Sequence, residues 1–496
     1  MLGTWLGLQT SLRGLQTAQE GINTVSHNID NANTPGYSRQ VLDLSEAQAI
    51  DMPGLTSAMA GQVGQGVAVE QIQRMRSSFL DSQYRDQNAS LGQANVEQST
   101  LSQISGIIDE PSQTGISNAM QQFWQAWDTL GSGTNTDSLS VRAAVLNAGT
   151  QLTNVMNQTA NQLTSLHSDL DAATTNDVTQ VNSILSQVAN LSNQIARVQE
   201  TGNQPNDLMD QRDELLDQLS QYTSFTASTT TVTNGGVPVT TPVAPGTITY
   251  DQFTLKLTGD SGQITVIDGS QTDFTNAQPP RNLVGSLSAQ TTVGAKPSTQ
   301  VSITQGGVPV AQLAEPSGEL AGYKQSLTDI QNYQDDLDNL AGALANKVNG
   351  LEPGGFFSGT TASNIAVQIT NPSNVVAGIG PGDGSIALQI SQLKDDNTNT
   401  FPDPSNNGGN MTGTMADYLT AVVGQLGLQG QTANNTVSVQ QTLTQQVDSQ
   451  RQSVSGVSID EEMTNMISYQ QAYNASAKVI QTINDMLSAL MSEKQS

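Results

Sequence analysis

The chain has 496 residues, 35% hydrophobic and only 4% aromatic, with 44 acidic against 17 basic side chains and a formal net charge of -27. A charge of that sign disfavours nucleic acid and anionic membrane surfaces as partners, and the absence of cysteine removes disulfides, thiolate nucleophiles and thiolate metal sites. The length allows two to four domains, but so few aromatic and apolar residues suit long thin helices better than one large globular core.

In chain order, Leu8, Leu12, Leu15, Ile22, Val25 and Ile29 recur at near-heptad intervals and predict an amphipathic helix. It stops at Asn31-Ala-Asn-Thr-Pro-Gly-Tyr-Ser-Arg-Gln40, where Asn and Gly tolerate left-handed backbone and Pro35 pushes Thr34 toward extended geometry. Residues 41–72, with Pro53-Gly54, Gly61, Gly64 and Gly66, read as loop and hairpin. A helical pattern runs from Gln71 to Ile108 and stops at Glu110-Pro111; Ile116 to Leu130 follows, its Phe123, Trp124 and Trp127 assigned to a core. Residues 139–170 and 178–198 carry separate apolar stripes, predicting two long bundle helices. Thr201-Gly-Asn-Gln-Pro205 breaks the chain, and Asn206-Asp207 opens an antiparallel partner through Leu208, Leu215, Leu219 and Tyr222, with acidic residues near its positive end.

Between Ser224 and Pro316 the period changes to alternation, with turns at Gly259-Asp260 and Asp268-Gly269. Gly235-Gly-Val-Pro-Val239 recurs there as Gly306-Gly-Val-Pro-Val310, either as paired strands at the two ends of this insert or as a chance echo. Helix returns from Ser317 to Val348, a mixed region spans 351–410, and Met415 to Val447 gives another long stripe. Ile459, Met463, Met466, Tyr473, Ile480 and Leu487 form a second near-heptad seam at the far end. The expected fold is mainly α with a β-rich insert, elongated, with paired coiled-coil-like terminal helices. Its parts are 1–70 with 455–496 (terminal helical polymerisation domain), 71–223 with 317–454 (long-helix bundle) and 224–316 (β-rich insert), the last joined to the bundle through few contacts. The two terminal seams, 1–32 and 459–496, are expected to order only when several chains meet, because isolated helices of this length are marginal in water.

Catalytic material is scarce. His27 and His167 are the two histidines and read as surface or seam residues, too few for a triad or a multi-histidine zinc site. The carboxylates Asp207, Asp210, Asp213, Glu214 and Asp217 spread around a helix, and Arg212 with solvent accounts for the Asp210/Glu214 pair. Arg74, Arg76 and Arg85 read as solvated ion pairs with Asp81 and Asp86. Pro381-Gly-Asp-Gly-Ser385 lacks the Lys-Ser/Thr ending of a phosphate loop, and Asp383 lacks the later carboxylates of a calcium loop. No apolar run is long enough to span a bilayer, and no basic segment leads into a sustained apolar core with a cleavage site.

The turn through Asn33, Thr34, Pro35, Gly36 and Tyr37, set between terminal seams, resembles the N-terminal signature of bacterial flagellar axial proteins, the rod, hook and hook-associated subunits. The middle narrows this. Asn206-Asp-Leu-Met-Asp-Gln-Arg-Asp213, with Asn206, Asp207, Leu208, Asp210, Arg212 and Asp213 as matching positions, resembles the helical region of the hook-side member of the hook-filament junction pair. Gly318-Glu-Leu-Ala-Gly-Tyr323, Phe356-Phe357 and Tyr469-Gln-Gln-Ala-Tyr-Asn-Ala-Ser476 agree. The approach to the Phe pair, Leu351-Glu-Pro-Gly-Gly355, is shorter than the family often shows. The resemblance covers nearly the whole chain except 224–316. It implies a non-enzymatic structural subunit without cofactors, exported through a type III channel without a cleaved signal. It also implies a homo-oligomeric ring with hook protein on one side and the second junction protein on the other, and an export chaperone on the C-terminal seam. The competing readings are a hook or rod subunit, disfavoured by the helical middle, and a secreted adhesin or effector acting through the insert.

Overall fold

The computed structural model describes residues 2–51, 62–133, 135–233, 238–239, 249–272, 281–292, 298–313, 317–405 and 408–493. Helix α1 (Leu2–Asp30) leads into β1 (Gln40–Glu46), a short ladder of β2 (Ile50–Asp51) with β3 (Gln62–Val63), and β4 (Val67–Arg74), which pairs antiparallel with β1. Helix α2 (Ser78–Ile108) starts at Ser77, whose hydroxyl caps Leu80 N–H, so the helical pattern expected from Gln71 begins as a strand. Pro53-Gly54 and Gly61 lie outside the described residues.

Helices α3 (Ile116–Gly131) and α4 (Leu139–Gln199) follow, then α5 (Asn206–Tyr222). The two stripes expected to be separate helices form one helix of 61 residues. The stretch between them, Asp171-Ala-Ala-Thr-Thr-Asn-Asp177, contains neither Gly nor Pro, so nothing ends the hydrogen-bond ladder and the stripe only rotates around the axis.

The β-rich segment has two antiparallel sheets: β5 (Phe225–Thr233), β6 (Thr249–Gly259) and β7 (Gly262–Ile267) in one, and β8 (Gly285–Thr292), β9 (Ser298–Gln305) and β10 (Val308–Gln312) in the other. Gly306 and Gly307, at φ +59° and +81°, make the two-residue turn between β9 and β10. In the first Gly-Gly-Val-Pro-Val copy, residues 235–237 lie outside the described residues, while Pro238 bridges Val232. Among the described residues each copy therefore folds back on the strand before it, and the two do not pair with each other.

Helix α6 (Glu319–Leu351) is followed by the β11 (Phe357–Ser358)/β12 (Ala366–Val367) ladder, helix α7 (Ser385–Gln392) and the β13 (Asn399–Pro402)/β14 (Asn410–Gly413) ladder. Helix α8 (Met415–Ser455) opens on a reciprocal cap between Thr414 and Asp417, and α9 (Ile459–Glu493) completes the described chain.

Two large hydrophobic cores share α4. The first joins its N-terminal half, through Leu152, Met156 and Leu163, to α3, α6 and the start of α8. At its centre Phe123 and Trp127 meet Phe356 and Phe357 with ring centroids 5.4 to 6.2 Å apart where the pairs touch, except the adjacent phenylalanines at 4.8 Å. A Cβ on Gly149 would fall 2.7 Å from the Phe356 ring, so α4 has to be bare there. Asn349 holds the short approach to this pair, accepting the Phe356 and Phe357 N–H groups at 2.7 and 2.8 Å.

The second core joins Val181, Leu185 and Val188 of α4 and Leu216 and Leu219 of α5 to Phe253, Leu255, Leu257, Val266, Ile267, Leu287 and Ile303 of the sheets. The expected weak attachment of segment 224–316 is thereby corrected. Its alternating strands place their apolar sides against the helices.

Buried acids make the bundle pH-sensitive. Burial pushes the Asp329 and Asp336 carboxyls up to about 6 and Glu352 up to about 7, against hydrogen bonds from Gln325, the Tyr418 hydroxyl and Val376 N–H respectively. A carboxyl raised in the folded state stabilises it fully below about pH 4, and that contribution is lost as pH rises through the folded value. The bundle should therefore melt at a higher temperature at pH 5 than at pH 8. Equal or reversed melting temperatures by circular dichroism would contradict it.

Candidate functional site

The first and last helices of the chain pair with each other along a seam of small residues. A Cβ built on Gly7 would lie 3.5 Å from Ile483, one on Gly14 3.1 Å from the Ser476 hydroxyl, and one on Gly21 2.6 Å from the Tyr469 ring. The next step is a hydrogen bond of 3.0 Å from Asn28 Nδ2 to Glu462. Positions 7, 14, 21 and 28 advance by one heptad as 483, 476, 469 and 462 retreat by one, so α1 and α9 run antiparallel in strict register. Missing side chains let the two backbones approach closely.

That pairing changes two expectations. The terminal helices are already joined within one chain instead of waiting for neighbours. The seam also lies beside most of the apolar positions singled out above. Val25 is buried, and Leu8, Leu15, Ile22, Ile29, Met466, Tyr473 and Ile480 are half-buried. Leu12, Ile459, Met463 and Leu487 are exposed, at 47%, 50%, 47% and 37%. Trp5, Ile467 and Met491 add to this outer apolar surface. The signal for the inner seam was the heptad Gly7, Gly14, Gly21 and Asn28, which a search for apolar periodicity passes over.

The turn after α1 locks this pair to the body. Gly36 has φ +77°, and a Cβ there would meet Glu214 of α5 at 2.9 Å. Asn33, Thr34 and Pro35 are exposed, while the Tyr37 hydroxyl turns back to donate to Asn28 Oδ1 at 2.8 Å and its ring meets His27 edge-on. Burial, with Asp207, Asp210 and Glu462 nearby, holds the Tyr37 phenol above its ordinary range. Asn28 also accepts from Gln40 N–H and donates to Gln40 C=O, both at 2.9 Å, which fully occupies its buried amide. Arg39 donates to Glu462 at 2.8 Å and to Glu461 at 3.1 Å, tying the turn to the start of α9.

Helix α5 forms the other half of the joint. Ser38 N–H donates to Asp210 at 3.0 Å, Gln40 to Asp207 at 2.9 Å, and Asn206 to the Ile72 carbonyl at 2.8 Å. Arg74 bridges Asp210 and Asp213 at 2.7 and 2.8 Å, Arg76 meets Asp81 at 2.7 Å, and Arg85 meets Asp217 at 2.7 Å. Arg451, near the end of α8, also contacts Asp217 and lies 4.0 Å over the Tyr84 ring. Burial alone would raise the Asp213 carboxyl, but Arg76, Arg212, Arg74 and Arg85 hold it down at about 2.

Several sequence expectations are corrected here. Arg76 does pair with Asp81 as expected, but Arg74, Arg76 and Arg85 are not solvated, with side chains only 11%, 11% and 14% exposed, because acids of α5 fold onto the cluster. Asp210 is paired with Arg74, not with solvent. Arg212 points the other way, into the second core, its guanidinium 4.5 Å above the Phe253 ring and its charged form disfavoured by burial. Leu208 is half-buried beside it on α5. His167 is buried with Asp171 at 3.3 Å, whereas His27 is partly exposed next to Asp207. Among the described residues no group of three or more His, Cys, Asp or Glu side chains is arranged to hold a metal ion. None of their helices is long and apolar enough to cross a membrane.

The chain is similar to known proteins. Residues 8–37 match the family model of flagella basal body rod protein, and residues 448–493 match that of the flagellar basal body rod FlgEFG protein C-terminal. Both ends are thus of the flagellar axial class. Residues 101–366 match the flagellar hook-associated protein FlgK helical domain. The flagellar hook-associated protein 1 of Bacillus subtilis is 31% identical, over 98% of this chain and 97% of its own length. Those of Salmonella typhimurium and Escherichia coli are 28% and 26% identical over 94% of this chain, covering 96% and 95% of their own lengths. The structure of the flagellar hook junction protein FlgK from Burkholderia pseudomallei superposes with a TM-score of 0.57 at 14% identity, covering 75% of this chain and 100% of that one, a likeness of fold. The chain belongs to the FlgK family of flagellar hook-associated proteins.

Proposed function

We propose that this chain is a structural subunit of the bacterial flagellum that forms the hook-filament junction and is needed for the filament to assemble on the hook. The observation that carries this reading is the closed pair of α1 and α9, apolar on its outer side, in a chain similar over nearly its whole length to hook-associated protein 1. An exposed apolar helical surface of this extent is buried in an assembly, not left in water. The seam residues Leu12, Ile459, Met463 and Leu487 face neighbouring subunits, and the turn Asn33 to Tyr37 with α5 fixes the angle at which the pair leaves the body.

On this reading the subunits form a ring, with hook protein on one side and the second junction protein on the filament side, and the chain catalyses no reaction. It leaves the cell through the type III export channel without a cleaved signal, accompanied until then by a chaperone on its C-terminal helix. Removing the gene tests the assignment. Intact hooks with filament protein released into the medium are expected. Filaments of normal length on those cells would overturn it.

A further inference from the structure

We infer that the cavity between β4, the start of α2, α5 and the strands β5 and β6 binds an organic anion, a carboxylate carried on an apolar body, with Arg212 as its counter-ion. The cavity has a volume of about 930 Å³, in the range of small-molecule sites, and Arg74, Arg76, Arg85 and Arg212 all line it. Four of the chain's 17 basic residues thus surround one space in a protein of net charge -27. The acids on the same wall are already committed or exposed: Asp81 holds Arg76 at 2.7 Å, Asp213 holds Arg74 at 2.8 Å, and Asp86 is exposed.

Arg212 is a buried cation without a counter-ion. It is 5% exposed, and among the described residues it forms no ion pair, while its Nε and Nη1 donate no hydrogen bond. The contact left to it is the face of the Phe253 ring at 4.5 Å. The two carboxylates whose charge favours its protonated form are held elsewhere, Asp213 by Arg74 and Asp251 by Gln199 and Thr231 at 2.9 and 2.8 Å. A guanidinium does not give up its proton in a protein, and a ring face offsets little of what it costs to bury that charge alone. An anion in the cavity that Arg212 lines supplies the missing charge. Arg74 can share in holding it, because it meets both Asp210 and Asp213 through Nη1 alone.

The rest of the lining selects the class of anion. Met209, Leu216, Phe225 and Phe253 give the cavity an apolar side. Phosphate or sulfate, charged over its whole surface, would lose hydration against them without return. A carboxylate on an aromatic or aliphatic body loses it only at the end that meets the guanidinium, where a planar paired contact forms. Such a ligand touches α5 on one side and β5 and β6 on the other, so it also ties the helices to the sheets.

Phenylacetate, titrated calorimetrically into the full chain with inorganic phosphate at equal ionic strength as the comparison, tests this. One saturable site is expected for phenylacetate, with phosphate bound several-fold more weakly. No saturable binding of phenylacetate at millimolar concentration, or phosphate bound as tightly, overturns the inference. Without the anion, Arg212→Met should melt at or above the temperature of the parent, because the lone buried charge is gone, and it should lose the binding. Parent-level binding by Arg212→Met overturns the inference. If that variant fails to fold, the exposed Gln73 on the cavity wall decides: Gln73→Glu should weaken binding and Gln73→Lys strengthen it, each several-fold and with the melting temperature kept. Equal affinities in the two Gln73 variants overturn it.

Discussion

Replacing residues 224–316 by a short Gly/Ser link should abolish cooperative unfolding of the far half of α4 and of α5, while leaving the core around Phe123 and Phe356 folded. The sheets share one core with Val181, Leu185 and Val188 of α4 and with Leu216 and Leu219 of α5, and the deletion removes the strand side of that core. Full burial of one such side chain stabilises by about 1.5–3 kcal/mol, so losing even part of it at several positions takes away a large share of the about 5–15 kcal/mol that holds a typical domain together. Hydrogen exchange read by peptide should show fast exchange across residues 178–222, with slow exchange kept in 116–170. Protection across 178–222 at the level of the intact chain would show that the helices stand without the sheets.

Asp217→Asn should be the most damaging single substitution among the acids of α5. Its carboxylate is met by Arg85 and Arg451 and lies 3.8 Å from Arg76, with the side chain 10% exposed. Removing one member of a buried ion pair typically costs about 3–5 kcal/mol, and here, among the described residues, Arg85 keeps only Asp213 at 3.5 Å and Arg451 only Asp448 at 3.0 Å. Arg451 sits four residues before the end of α8, so the substitution also loosens the hinge from α8 to α9. Asp169→Asn, on an exposed turn of α4, serves as the control and should stay within about 0.5 kcal/mol. Urea unfolding of both variants decides the matter. A loss below about 1 kcal/mol for Asp217→Asn would mean that the arginines find other partners.

Periodicity made much of this fold legible, and its failures have physical causes. The stripes of α3, α6 and the first half of α8 read directly from apolar spacing, because each element buries one face in the first core. The break expected inside α4 came from a rotating stripe, and the rotation reflects a change of neighbour from one core to the other, not a helix end. The cohesion of the sheets with α4 and α5 was hidden because alternation tells which side of a strand is apolar and not what that side meets. The arginine cluster was only partly legible: the pairing of Arg76 with Asp81 is local, but the acids that neutralise Arg74 and Arg85 lie more than 120 residues further along the chain. Glycines at 7, 14 and 21 were visible all along, yet a seam built from absent side chains leaves no mark on a hydrophobic pattern.

The register of α1 against α9 also fixes when that part of the molecule can form. Its partners are separated by more than 430 positions, from Asn28 to Glu462 outward to Gly7 and Ile483. During synthesis at roughly 5–20 residues per second, α1 waits on the order of half a minute or more before its complement exists. Closing so large a loop is entropically unfavourable until the intervening cores have folded and drawn the ends together. The glycine face is therefore the last surface to be satisfied. The molecule spends its early life with its two ends open and its centre closed.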